Sequence, residues 1–170
     1  MARVSTGIWH MIDEIDLVAM VANHASLGLL CDRLEEIADT LPRLPAPSHA
    51  LEICRELEHG PATHEAHERA LLARLFGTCL AEPSHAALLQ HIRNRSGSRA
   101  VQAQDLIAAL QPADGSLPAS TLGYMLRSFF EGCRTDMPFE ELAILQIAGE
   151  RLTADARALL QHSIEARCRA

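Results

Sequence analysis

The sequence predicts an all-α fold, an antiparallel up-down bundle of four long helices with a short extra C-terminal helix, in one domain over residues 1–170. Three observations carry this expectation. Hydrophobic residues make up 48% of the chain but aromatics only 4%, and Leu, Ala and Ile dominate, which favours helix over sheet. Apolar positions recur at spacings of three and four over long stretches. Clusters of Pro, Gly and Ser divide the chain into four long segments and a shorter tail. A chain of 170 residues buries roughly 70% of the surface its unfolded form exposes, enough for a core without staples.

Helix 1 is expected from about Ile8 to Leu41, where the run from Pro42 to Pro47, with three prolines, stops it. Ser48 is the expected N-cap of helix 2, which continues to Phe76 with Gly77 as its stop; Gly60-Pro61 interrupts it. Helix 3 opens at Pro83 or Ser84 and ends near Leu110, with the least helix-friendly stretch at Asn94–Ser98. Helix 4 runs from about Ala119 to Leu152, and Thr153 caps a short C-terminal helix. Helices of about 28–34 residues are about 42–51 Å long, and short connections pack such helices antiparallel. If Gly60-Pro61 and Ser96-Gly97 each split a helix, a shorter orthogonal bundle is the alternative.

Charge and cysteine usage narrow the function classes. The net charge of −7 argues against a nucleic-acid partner, which requires a basic face. Cys31, Cys54, Cys79, Cys133 and Cys168 are widely spaced and odd in number, which fits reduced thiols in a cytoplasm, the first four as small buried apolar residues. The opening stretch carries acidic residues where a signal peptide is apolar, and no stretch of about 18 apolar residues is evident, so no membrane association is expected. No nucleophile–base arrangement or phosphate-binding loop is present, so any enzymatic turnover would have to come from a metal.

The informative residues are polar ones on apolar stripes. In helix 1, Leu17, Met20, His24, Leu27, Cys31, Leu34 and Ala38 share one face, so His24 points into the core. A neutral, hydrogen-bonded core histidine is the plain alternative to a ligand. In helix 2, His64 and Glu68 are four residues apart and can reach one metal ion from the same face, whereas Glu65 and His67 fall on the solvated side. In helix 4, Asp136 and Glu140 break the seam of Leu126, Phe129, Cys133, Ile144 and Ile147. Two like charges on adjacent turns repel, and either a metal or an Arg from a facing helix would offset them.

A histidine midway along helix 1, then His64-x-x-x-Glu68, then Asp136-x-x-x-Glu140-Glu followed by an apolar run resembles the hemerythrin-like (HHE cation-binding) domain over roughly Trp9 to Leu159. The resemblance implies a dinuclear non-haem site of two iron ions, oxo-bridged, with Mn or Zn as alternatives. It implies His24, His64, Glu68, His85, Asp136 and Glu140 as metal ligands, and binding, sensing or redox buffering of O2, NO or iron. Candidate partners are a small diatomic ligand such as O2 or NO and, as a homodimer, a second copy of the chain. Two departures stand out. Asp136 occupies the position of the family's fourth-helix histidine, giving a harder, more oxygen-rich site. On helix 3, His85 and His91 lie near the helix start, while alignment on Asp105–Leu110 puts Arg95 or Arg99 at the ligand level. An Arg there would pair with Asp136 and Glu140 and leave a metal-free bundle serving as an interaction or regulatory module.

Overall fold

The computed structural model describes residues 11–77, 82–111 and 117–168, and these are helical almost throughout. Five α-helices, α1 (Glu14–Thr40), α2 (Pro47–Phe76), α3 (Pro83–Leu110), α4 (Ala119–Ala148) and α5 (Ala154–Cys168), follow one another, with a 3-10 turn at Gly149–Arg151. Helix α1 packs on α2, α4 and α5; α3 packs on α2 and α4; and α5 packs on α1 and α4. The helical fold class read from composition and periodicity is therefore observed.

Several boundaries differ from the sequence reading, each for a local reason. Residues 1–10, and with them the expected start at Ile8, lie outside the described residues. Helix α1 begins at Glu14 because Asp13 closes a capping box: its side chain accepts from the Ile15 N–H at 3.0 Å while the Asp13 N–H reaches Asp16. Helix α2 starts with Pro47 at its first position, so Ser48 lies inside the first turn rather than capping it. Pro61 does not split α2, and Ser96-Gly97 does not split α3; both helices run through. Helix α4 also runs through Pro138 and stops at Ala148, four residues before the expected end, because Gly149 adopts a left-handed φ of 54°. Thr153 does cap α5, its hydroxyl accepting from the Ala156 N–H at 3.2 Å.

The core is divided in two along the helices. One apolar half gathers Leu17, Met20, Leu72, Leu75, Ile92, Ile144 and the α5 residues Ala156 and Leu160. The other gathers Leu27, Leu34, Ile53, Leu57, Leu106, Leu126 and Phe129. Every long helix supplies polar residues to the gap between them: His24 from α1, His64 and Glu68 from α2, Ser96 and Arg99 from α3, Asp136 and Glu140 from α4, all buried. Cys31, Cys54 and Cys133 are buried free thiols, as expected; Cys79 and the Cys168 side chain lie outside the described residues. The neighbouring Cys31 thiol, together with burial, pushes the Cys133 thiol up, away from its thiolate.

Helix α1 is long and apolar enough to cross a membrane by length and composition, which the sequence reading did not anticipate. One face of it packs into the core through Leu17, Met20, Leu27, Leu30 and Leu34, and the other exposes Ile15, Val18 and Leu29. A core helix of a globular protein satisfies the same criteria.

Candidate metal centre

The polar layer is built around Glu140. One of its oxygens, Oε2, accepts from Nε2 of His24 at 2.9 Å and from Nε2 of His64 at 3.2 Å. The two imidazole rings lie 4.9 Å apart, tilted by 46°. The other oxygen, Oε1, accepts from Nη2 of Arg99 at 3.1 Å, and the same Nη2 donates to Asp136 Oδ2 at 2.8 Å. Asp136 Oδ1 is held in turn by Arg95, which donates from Nε at 2.8 Å. Glu68 lies in the same layer, where the Ser96 hydroxyl donates to its Oε2 at 2.5 Å and its Oε1 is buried without a hydrogen-bond partner.

Each position follows from helical spacing. His64 and Glu68, and Asp136 and Glu140, are one turn apart and so project from one face of their helices. Ser96 and Arg99 on α3 have the same relation and face both pairs. His24 is aimed from α1 by a second carboxylate on its far side: its Nδ1 donates to Glu141 Oε1 at 2.7 Å.

The electrostatics of the layer are strongly coupled. Burial opposes ionisation of Glu140, but the hydrogen bonds from His24 and His64 outweigh it, with further help from Arg99, and hold its pKa well below the usual carboxylate range. Burial, reinforced by the charge of Glu140, pushes Glu68 up to about 8, so its carboxyl is protonated at neutral pH. Burial lowers His24, yet its bonds to Glu140 and Glu141 reverse the sign and leave it raised. His64 has Glu140 alone as a carboxylate partner, and burial wins, leaving it lowered.

The donor set can be tested for fit to a metal. Among the described residues, His24, His64 and Glu140 form the one group whose ligand atoms lie together, all within 4.8 Å of one another. Donors held about 2.0–2.2 Å from a shared ion stand up to about 4 Å apart, so spacings of 2.9 and 3.2 Å are compatible with a common ion. Glu68 Oε1 is also buried without a hydrogen-bond partner in the same layer, but Glu68 is not one of the three residues whose ligand atoms lie together. The residues present therefore fit one ion. They fit two less well, because Arg99 already binds both Asp136 and Glu140 where a second ion would need them.

Of the six expected ligands, the fold brings His24, His64, Glu68, Asp136 and Glu140 into one layer, but Asp136 is engaged by arginines. His85 is placed elsewhere. It sits in the first turn of α3, 3.7 Å from Glu82, and is eleven residues or about 16 Å along the helix from Ser96. His91 is exposed and packs edge-on against Phe139 at 5.1 Å. Glu65 and His67 lie outside the cluster, as their spacing implied, with Glu65 paired to Arg69 and His67 to Asn23. Sequence reasoning missed the roles of Ser96 and Glu141. Glu141 lies four residues from Met137 and three from Ile144 on an inward seam, so periodicity carried a signal for it; Ser96, in a polar run, carried none. Compared with protein-family models, with curated proteins and with solved structures, the chain matches none.

Proposed function

We propose that this chain is a hemerythrin-like antiparallel four-helix bundle that holds one non-haem metal ion, iron before Mn or Zn, and serves in binding or sensing O2, NO or iron. The observation that supports this reading is the convergence of Nε2 of His24, Nε2 of His64 and Oε2 of Glu140 at the centre of a buried layer. Two imidazoles and one carboxylate are the donor set of non-haem Fe(II) sites that keep open positions. Binding would displace the protons that Nε2 of His24 and Nε2 of His64 now donate to Glu140, and Glu68, protonated in the same layer, would have to move in and give up its proton to join the set. A bound iron would supply an open coordination position for a small diatomic ligand.

The chain's own residues set the conditions. Glu141 fixes the His24 ring from its Nδ1 side, and Ser96 fixes the Glu68 carboxyl. Arg99 neutralises Asp136 and the outer oxygen of Glu140, which supports a single ion rather than the pair that the family resemblance implies. The apolar residues on either side, Leu27 and Leu57 towards one end and Met20 and Leu72 towards the other, keep bulk water from the layer.

A second reading follows from Arg99. Because it already pairs with Asp136 and Glu140, the layer is an ion network that needs no metal, as in a regulatory or interaction module. Metal content per chain separates the two readings. Protein from iron-supplemented cells, analysed by mass spectrometry, is expected to carry about one iron per chain. Two would overturn the role given to Arg99; none after reconstitution of a helical protein would favour the metal-free module.

A further inference from the structure

We propose that α5 is a clasp on the metal centre, in which Arg167 and Ser163 hold Glu141 against His24, so that docking of α5 and binding of the ion favour each other. The inference rests on the metal reading above and concerns how that site is regulated. Glu141 is fully buried and bonds to His24 at Nδ1, the ring nitrogen opposite the Nε2 that meets Glu140. From α5 the Ser163 hydroxyl donates to the same Glu141 oxygen at 3.1 Å. One turn further, Arg167 donates to Ser163 Oγ at 2.6 Å and also pairs directly with Glu141. A continuous chain of hydrogen bonds therefore runs from the half-buried end of α5 to a candidate ligand on α1, and it involves no other residue.

The rest of α5 packs against α1 and α4. Ala156 and Leu160, with Leu159 partly buried beside them, anchor its first half, where backbone bonds between Ile12 and the Arg151–Thr153 segment also tie it down. Towards the far end, the polar relay of Ser163 and Arg167 reaches Glu141. Without α5, Glu141 would keep His24 as its one partner in the cluster, and a buried carboxylate with so few donors either reorients or draws in water. Either change frees the His24 ring. A carboxylate on the second nitrogen of a ligating histidine both orients the ring and raises its basicity, and removing it typically costs 10–100-fold in metal affinity. Coupling of this kind is reciprocal: whatever factor α5 adds to metal affinity, the metal adds to α5 docking.

The test uses the full chain with Fe(II) under anaerobic conditions. Apparent affinity is read by chelator competition, and α5 docking by amide hydrogen exchange with and without iron. Glu141→Gln and Arg167→Met are each expected to lower Fe(II) affinity about 10–100-fold. Arg167→Lys should recover part of the loss. Iron should slow exchange in α5 of the native chain but not of Arg167→Met. Arg167 is partly exposed and touches no proposed ligand, so its variant stays informative if Glu141→Gln does not fold. Native binding with unchanged affinity in both variants would overturn the clasp and leave the metal reading standing. A native chain that takes up no Fe(II) would overturn the metal reading, and the clasp with it.

Discussion

Arg99→Met removes a guanidinium that reaches two buried carboxylates, and its cost can be worked from the contacts. The Arg99 side chain is 3% exposed and donates to Asp136 at 2.8 Å and to Glu140 at 3.1 Å. Deleting one partner of a buried ion pair typically costs about 3–5 kcal/mol. Three features place this case at the lower end. Asp136 keeps Arg95, Glu140 keeps both histidines, and the Nε and Nη1 of Arg99, buried without hydrogen-bond partners, are removed with it. Methionine also retains much of the apolar stem. The expected loss is about 3 kcal/mol, which for a domain of this length lowers Tm by about 6–12 °C. Urea unfolding of the metal-free protein measures it, with the slope unchanged if both proteins unfold in two states. A double-mutant cycle with Asp136→Asn should show coupling of at least about 0.5 kcal/mol. A loss below about 1 kcal/mol, or no coupling, would refute the buried network and the division of roles built on it.

Other outcomes follow from the same geometry. His64→Ala should abolish iron uptake while the far-ultraviolet circular dichroism stays helical; retained uptake would remove His64 from the ligand set. Arg99→His exchanges the competing cation for a ligand at the level of Asp136 and Glu140, so metal per chain should rise from one ion towards two, read by mass spectrometry of the reconstituted protein. Asp13→Ala opens the capping box of α1 and should cost about 1 kcal/mol in urea unfolding, with no change in metal content.

The helices were legible because their signals are local. Stripes at spacings of three and four, Gly77 as a stop and Thr153 as a cap each depend on a few neighbouring residues. Ambiguity and error arose where a local signal met a competing one. Gly60-Pro61 and Ser96-Gly97 offered possible breaks, the basis of the alternative orthogonal bundle, but Pro61 and Ser96 are buried and both helices run through, as the long-helix reading has them. Ser48 read as a cap, but Pro47 had already taken the first helical position.

The sequence alone determined which faces of α1, α2 and α4 carry His24, His64, Glu68, Asp136 and Glu140 inward, because helical periodicity is set within one segment. It left open what neutralises the two acidic residues on α4, a metal or an arginine. Only the tertiary structure decided the partners, because they depend on the axial register of one helix against another, which short-range patterns do not encode. That register sets Arg99, not His85, opposite Asp136 and Glu140. It also carries the end of α5 back to Glu141, so residues 163 and 167 reach a carboxylate more than twenty positions earlier in the chain.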